Sequence, residues 1–577
     1  MCSFIILAGD HIPQNLKKPF FNSAKKISFR GPDETVNLSF ENYLVSFSRL
    51  SINSLESGSQ PAFSENKDFL ICFNGEIFNY KDLIEDLKKQ DVKFVRESEA
   101  DLILKLYQLY NEKCVNYLRG MFSFAIIDFK ENLIFAAVDK FSMKPLYYYK
   151  DSDFLLIGSN LEPFLENKII KRVFNQNLID QFMCFGRTFN EQTFNKNIFK
   201  LLPAHLLKIK NNDISKKQYW DLKLNEEVRP TNLSVLSEET YKCFNSSINK
   251  WKLSEVPLSI IRSSGVDSNI LYKFLTLDGE DIFSYNIPEN SVEQVINNEK
   301  KIFVDEKEVL KHLIKFYKTS PQPLAGSGSL LLFSLYNNIK QDKIKVSFTG
   351  EGMDELSGGY PRHSKQLENS KNSDFLQSFI KTYLPSIQSY SYFSRNRQFG
   401  EIVENLEREI LSIKLNSKRI ESKILEFDQR TLIPTLAERH DLIGMFFSLE
   451  IRPAFLDDEI VSFINENIPM DLKFNTTQNK IFLKNLLTEF GLGELTKIEK
   501  IGNPSVFKKI ISDKKHMNKF KKIFTSSRIK EFVDEKKFFS CLDELNKSQA
   551  ATNALYDDIV LWRIFSLTLW ISQKNFA

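Results

Sequence analysis

The chain has 577 residues, 42% hydrophobic and 26% charged, a soluble globular composition at a length that suggests about two to four domains. Its 78 Lys and Arg face 74 Asp and Glu, a formal charge of +4, spread along the chain rather than gathered into the basic stripe of a nucleic-acid binder. Six scattered cysteines without a CxxC pair and six dispersed histidines give no sequence-local zinc set. No stretch reaches the ~18 apolar residues of a membrane span. The apolar start, residues 4–8, is short for a signal peptide and has no basic region before it, so a reducing cytoplasm is the default location.

Up to Trp220 the pattern is mainly of short strands in alternating or wholly apolar runs. Phe69-Leu70-Ile71-Cys72-Phe73, Ser123-Phe124-Ala125-Ile126-Ile127 and Asn132-Leu133-Ile134-Phe135-Ala136-Ala137 are examples. Helices are predicted over 81–89 and 100–110, the second with Leu102, Ile103, Leu106 and Leu109 on one face. The polar stretch 210–217, ahead of Tyr219-Trp220-Asp221, is the predicted domain edge. From Asn232 onward longer helices alternate with short apolar strands. Leu258-Ser259-Ile260-Ile261 and Lys345-Val346-Ser347-Phe348 each run into a Gly-containing polar loop. That succession of strand, loop and helix predicts an open parallel sheet with ligands at the strand carboxyl ends. The tail reads as a helix with Leu561, Phe565, Thr568 and Leu569 on a buried face.

Cys2 becomes the first residue once the initiator Met is trimmed, as is usual before a small side chain. Its α-amine, titrating near ~7.7–8.0, then lies beside the thiol and can serve as its base. A lone Cys at position 2 is more often accident than function. Arg30-Gly31-Pro32-Asp33 reads as a tight loop, and Arg49-Leu50-Ser51-Ile52-Asn53 offers a guanidinium suited to a carboxylate. Asn74-Gly75-Glu76-Ile77-Phe78-Asn79-Tyr80 follows a strand, where an Asn amide and a Gly N–H can form an oxyanion hole. Taken singly, these are better explained as a turn glycine, a surface arginine and an Asn cap.

Together and in this order they resemble the class II (N-terminal nucleophile) glutaminase domain. The resemblance continues through Leu118-Arg119-Gly120-Met121-Phe122-Ser123-Phe124-Ala125 and Lys144-Pro145-Leu146-Tyr147-Tyr148. It implies an α+β N-terminal nucleophile domain, an αββα sandwich, over residues 2–218. By the same resemblance Cys2 is the nucleophile, Asn74 and Gly75 are the oxyanion donors, and Arg49, Asn74, Gly75, Glu76 and Glu99 bind glutamine. Ser98-Glu99-Ala100-Asp101 stands where the family has Ser-Asp-x-Glu, so Glu99 would reach the glutamine amine with one extra methylene. Val138-Asp139-Lys140-Phe141-Ser142 replaces Arg-Asp-x-x-Gly and is expected to loosen a turn.

Arg262-Ser263-Ser264-Gly265-Val266-Asp267-Ser268 follows an apolar strand and leads into a helix, presenting N–H groups and hydroxyls to a phosphate. A serine-rich turn with a helix cap is an equally good local reading. The loop resembles the Ser-Gly-Gly-x-Asp-Ser pyrophosphate signature of ATP pyrophosphatases, and it lacks the Gly-Lys-Ser/Thr of a Walker loop. Further on, Thr349-Gly350-Glu351-Gly352-Met353-Asp354-Glu355-Leu356-Ser357-Gly358-Gly359-Tyr360 is similar to the asparagine synthase motif Ser-Gly-Glu-Gly-x-Asp-Glu-x-x-Gly-Gly-Tyr. Ser448-Leu449-Glu450-Ile451-Arg452-Pro453-Ala454-Phe455-Leu456-Asp457, Lys480-Ile481-Phe482-Leu483-Lys484 and the closing Leu561-Trp562-Arg563 segment agree with that family.

This second resemblance implies an α/β parallel-sheet ATP-pyrophosphatase-like domain over residues 225–577. ATP is expected against Arg262, Ser263, Ser264, Gly265, Asp267, Ser268, Tyr285, Thr349 and Gly350. Asp267 and Asp354 can hold Mg²⁺ on the phosphates, and Glu351 is placed as general base toward the incoming amine. Lys480 would stabilise phosphate charge, with Lys500 nearby. Ser264 departs from a family glycine, adding a side chain where backbone approaches phosphate. Arg262 stands at an apolar position beside the adenine, the segment 285–303 is shortened, and 321–329 is off-pattern near the acceptor pocket.

The implied reaction is glutamine-dependent, ATP-driven amidation of a carboxylate through an acyl-adenylate, with AMP and pyrophosphate released and aspartate as the default acceptor. The same chemistry on another carboxylate, such as a sugar acid of a surface polysaccharide, is the alternative. A non-catalytic nucleotide-binding relative is the reading from another class. Against it stands the joint presence of Cys2, Asn74, Asp267, Glu351, Asp354 and Lys480. The expected partners are small molecules, with no nucleic acid and no membrane, and a homodimer is kept as an option.

Overall fold

In the first strand, Cys2–Ala8, alternate residues enter two different cores: Cys2, Phe4 and Ile6 one, Ile5 and Leu7 another. That is the period of two of a strand buried on both faces. A computed structural model describes residues 2–210, 213–227, 232–288, 299–497, 506–547 and 558–574. In it the first strand lies inside a six-stranded sheet, antiparallel to Tyr43–Arg49 and Leu155–Gly158. A second six-stranded sheet has Leu133–Val138, Gly120–Asp128 and Phe69–Ile77 in its middle.

Between the sheets, Phe4, Ile6, Val45 and Phe47 meet Leu70, Cys72, Ala125 and Ile127. Helices Gln14–Lys25 and Glu162–Glu166 cover one outer face with Phe20, Ala24 and Phe164. Helices Tyr80–Lys88 and Glu99–Tyr110 cover the other with Ile84, Leu102, Ile103 and Leu106. The result is the expected αββα sandwich. Leu109 differs from expectation: it is exposed, and Tyr107 and Tyr110 close the cluster at that end of the helix. Lys210 and residues 213–217 of the polar stretch are strand, since Asp213–Gln218 pairs antiparallel with His205–Lys210.

Farther along, five strands align parallel in the order Glu299–Lys301, Phe283–Asn286, Leu258–Arg262, Val346–Phe348 and Glu450–Arg452. Both faces are covered, as parallel sheets require. Helices Leu233–Trp251, Val266–Leu275 and Asp458–Asn467 bring Phe244, Phe274 and Ile464 into one core with Ile260 and Phe348. Helices Glu306–Thr319, Ser329–Gln341 and Ile420–Phe446 bring Leu313, Phe333 and Ile443 into the other with Ile451 and Tyr285. The closing helix Asp558–Ser572 is buried all round rather than on one face. Helices surround it, and its own polar groups are satisfied inside the core: Trp562 Nε1 and Ser566 Oγ both donate to the Leu324 carbonyl. Among the described residues no helix is long and apolar enough to cross a membrane.

The sandwich and the parallel-sheet half meet through buried ion pairs. Arg119 donates to Asp457 through Nε at 2.8 Å and NH2 at 2.6 Å, and Trp251 Nε1 reaches the same carboxylate at 2.8 Å. Arg30 NH2 lies 2.8 Å from Asp441 Oδ2, with Lys144 3.6 Å from the other oxygen. Removing one partner of a buried pair leaves an uncompensated charge and costs about 3–5 kcal/mol. Arg119→Ala is therefore expected to destabilise the full chain on that scale, read as a lowered urea midpoint. An unchanged midpoint would show that the Asp457 contact carries no such weight.

Candidate active site

The first site forms where the two six-stranded sheets part. Cys2 pairs in register with Arg49, and its backbone N–H donates to Asn74 Oδ1 at 2.9 Å. That bond fixes the Asn74 amide with Nδ2 buried and without a hydrogen-bond partner among the described residues. A buried, oriented and unsatisfied donor beside a thiol is what an oxyanion needs. Asn74 and Gly75 lie within a strand rather than after it, because pairing with Gly120–Asp128 continues to Ile77. Gly75 has φ 152°, and a Cβ there would stand 2.1 Å from the Met121 carbonyl oxygen, so only glycine fits.

Cys2, Arg49, Asn53, Gly75, Glu76 and Glu99 line one pocket. Arg49 NH2 is held by the carbonyls of Ser54 at 2.7 Å and Asn53 at 3.3 Å. The loop bearing them is gripped from the other half, since Glu255 accepts from the N–H groups of Ser54 at 2.8 Å and Leu55 at 3.2 Å. Glu99, the first residue of its helix, accepts from the Ile77 N–H at 2.6 Å. Burial pushes the Cys2 thiol up, with the chain's amino terminus and Arg49 acting the other way. Burial also raises Glu76 to about 7, assisted by Glu450 and opposed by Arg452 and Asn53.

The turn at Ser142 is not loosened. Ser142 takes φ 52°, the left-handed conformation that glycine favours. The buried Asp139 carboxylate secures it by accepting from the N–H groups of Phe141, Met143, Phe122 and Lys144.

The second site lies at the carboxyl ends of two adjacent parallel strands, Leu258–Arg262 and Val346–Phe348. In the loop after the first, Ser268 Oγ accepts from the Ser263 N–H at 3.1 Å and Ser263 Oγ from the Gly265 N–H at 3.2 Å. Asn269 staples the loop, its Nδ2 donating to the carbonyls of Gly265 at 2.7 Å and Ser263 at 3.0 Å. Arg262 sets that amide's orientation by donating to Asn269 Oδ1 from Nε at 2.8 Å and NH2 at 2.5 Å. The same guanidinium lies 3.5 Å from Glu299 and 5.0 Å from the Tyr272 ring centroid. Tyr285 is buried in the core, its hydroxyl donating to Asp342 at 2.7 Å. Thr349 is held by its N–H, which donates to the Arg452 carbonyl at 3.1 Å. A Cβ on Gly350 would press on the Ser268 backbone nitrogen at 3.0 Å. Ser264 occupies the turn just before Gly265.

Asp267, Asp354 and Lys480 converge. Lys480 Nζ lies 2.5 Å from Asp267 Oδ2 and is also paired with Asp354 Oδ1. Burial opposes the Lys480 charge, but Asp267 and Asp354 outweigh it and hold the group above the ordinary lysine range. Gly359 permits this approach, since a Cβ there would lie 1.9 Å from Asp354 Oδ1 and 2.2 Å from Lys480 Cε. Among the described residues no three His, Cys, Asp or Glu side chains gather to hold a metal ion. Two carboxylates with no third side chain of those types among the described residues fit Mg²⁺ as an ion largely completed by phosphates and water. Glu351 stands at the loop's far side, 2.9 Å from Arg439 NH2 and 3.1 Å from His440 Nε2. Lys500 lies outside the described residues, as does much of 285–303.

Asn269, Arg439, His440 and Glu255 were not legible beforehand. Asn269 follows the loop motif directly and carries a weak signal in its spacing. The others reach their places from distant segments.

Residues 1–220 match the family model described as glutamine amidotransferase domain, and residues 240–572 match asparagine synthase. The chain is 25% identical over 500 residues, 80% of each chain, to asparagine synthetase [glutamine-hydrolyzing] 3 of Bacillus subtilis. It is 26% identical over 535 residues to asparagine synthetase [glutamine-hydrolyzing] 2 of the same organism, covering 84% of this chain and 67% of that one. It is also 26% identical over 378 residues to amidase chyE of Penicillium rubens, covering 59% of this chain and 54% of that one.

The raised Glu76 carboxyl has a consequence in solution. Below about 7 it is protonated and cannot hold a cationic amine, and above that pH it is charged and can. Glutamine kcat/KM is expected to fall in two steps as pH drops through about 7, and Glu76→Gln to leave only the step expected of the Cys2 α-amine near ~7.7–8.0. Initial glutaminase rates across the range measure it, and two steps persisting in the variant would assign the second to another group.

Proposed function

This chain belongs to the asparagine synthase family, and from that premise we propose that it converts aspartate to asparagine with ammonia drawn from glutamine. It is an enzyme of the glutamine-hydrolysing amidation type. The observation that carries the proposal is the convergence of Asp267 and Asp354 on Lys480 at the carboxyl ends of adjacent parallel strands.

The proposed division is a glutaminase over 2–218 and a synthetase over 225–577. In the first, Cys2 Sγ attacks the side-chain amide carbon of glutamine, with the α-amine of a trimmed Cys2 taking the thiol proton. Asn74 Nδ2 and the Gly75 N–H receive the developing oxyanion, ammonia leaves, and water cleaves the thioester to glutamate. Arg49, Glu76 and Glu99 hold the amino-acid end. In the second, the loop Ser263–Ser268 and the Thr349-Gly350 backbone cradle ATP. The acceptor carboxylate attacks the α-phosphate, forming an acyl-adenylate and releasing pyrophosphate. Lys480 neutralises charge on the leaving phosphates, and Asp267 and Asp354 are the residues that would hold Mg²⁺. When bound, that ion supplies further charge neutralisation as pyrophosphate departs. Glu351 takes a proton as ammonia adds to the acyl carbon and AMP leaves.

An acceptor other than aspartate is the second reading, favoured by the similarity to an amidase and by the position of Arg262, whose guanidinium is turned to Asn269 and Glu299. Specificity can shift in this way while phosphate chemistry stays fixed.

Cys2→Ala is expected to lower glutamine-supported synthesis by more than about a thousandfold, the scale of losing a nucleophile, while ammonium still supports synthesis near the parent rate. Loss of both activities in a folded variant would contradict two separate sites. Aspartate is tested by pyrophosphate release with ATP, Mg²⁺ and ammonium, paired with mass detection of asparagine. Absence of asparagine from enzyme that still cleaves glutamine would overturn aspartate and promote another carboxylate.

A further inference from the structure

Glu351 does not hold its orientation alone. It leaves the loop after the strand Val346–Phe348, partly exposed, and both contacts described above fall on its Oε1, from Arg439 NH2 and His440 Nε2. Arg439 and His440 are consecutive residues of the long helix Ile420–Phe446. The other imidazole nitrogen, His440 Nδ1, is hydrogen-bonded to the hydroxyl of Tyr336, from the helix Ser329–Gln341. His440 and Tyr336 are both buried.

His440 Nε2 faces both Glu351 Oε1 at 3.1 Å and Arg439 NH2 at 3.0 Å, and the tautomer that serves Glu351 carries its proton on Nε2, leaving Nδ1 to accept from the Tyr336 phenol. Burial pushes the Tyr336 phenol far above its ordinary value, so it remains a donor. Burial also pulls His440 below the ordinary imidazole value, which favours the neutral ring. The helical turn is anchored on both sides of the pair. Glu438 accepts from Lys200 at 2.8 Å, and Asp441 from Arg30 at 2.8 Å. A guanidinium can swivel along a carboxylate, whereas a ring locked at both nitrogens sets one oxygen in one place.

We propose that His440, its ring locked by Tyr336, is a positioning residue for Glu351, holding Oε1 so that the carboxylate faces the acceptor in a single orientation. The proposal rests on the reading of Glu351 as the base of the synthetase step. It goes beyond that reading by naming two residues, on two other helices, on which the base depends.

The test is ammonium-supported synthesis by the full chain carrying Glu351→Gln, His440→Leu, His440→Gln or Tyr336→Phe. Glu351→Gln is expected to lose about a hundredfold or more in kcat. His440→Leu is expected to lose about tenfold in kcat, the scale of removing a hydrogen bond that orients a working ligand, with the KM for ATP unchanged. His440→Gln keeps an amide donor near Nε2 and should recover most of that loss. Tyr336→Phe removes one oxygen from a site it otherwise fills and should reproduce part of it. If Glu351→Gln is inactive while His440→Leu and Tyr336→Phe keep the parent kcat, the positioning role alone is overturned. So too if His440→Gln and His440→Leu fail equally while Tyr336→Phe is untouched, since that pattern belongs to packing. A fully active Glu351→Gln would overturn the underlying reading of Glu351 together with this one.

Discussion

Arg452 is a fully buried cation at the contact between the sandwich and the parallel sheet, and it cannot be there without partners. Its Nε lies 2.7 Å from Glu450, its NH1 donates to the carbonyls of Trp251 at 2.5 Å and Leu253 at 2.9 Å, and its NH2 lies 3.9 Å from Glu76. The guanidinium also sits 5.2 Å from the ring centroid of Phe78. Strand alternation places it: Glu450 and Arg452 share one face of their short strand, and Ile451 enters the opposite core. The same residue's backbone pairs with Phe348 and receives the Thr349 N–H. One side chain thus joins the acid of the first pocket to the strand that sets the loop of the second.

The helix Ile420–Phe446 repeats the arrangement within one turn. Glu438 and Asp441, three residues apart, face the sandwich and meet Lys200, Arg30 and Lys144. Arg439 and His440, between them, face Glu351. Docking of the two halves and placement of Glu351 are therefore set by the same five or so ångströms of helix rise. Buried pairs of this kind add little net stability when whole, yet each is costly to break, which makes the relative position of the halves well defined.

Departures from family pattern are absorbed by local compensation. Ser142 accepts a left-handed backbone because four N–H groups converge on Asp139 beside it. Arg262 is accommodated because Asn269, Glu299 and the Tyr272 ring receive its guanidinium. Neither compensation is local in sequence alone; Phe122 and Glu299 come from other strands or their neighbours.

The apolar and alternating runs at 69–73 and 123–137 sufficed for strands in the first part, and the strand–loop–helix succession after Leu258 for a parallel sheet, because periodicity reports which faces are buried; the αββα sandwich followed from the family resemblance. The resemblance of the chain's motifs to those of known families singled out Cys2, Asn74, Gly75, Asp267, Asp354 and Lys480 as candidates. Tertiary structure alone decided that Asn74 Nδ2 is left as an open donor, since that depends on a bond to Cys2 from another sheet. It alone decided that Glu351 answers to Arg439, His440 and Tyr336, and that Glu76 answers to Arg452. Those partners lie on helices and strands far apart in the chain, and no local pattern encodes which distant side chain will share a buried charge.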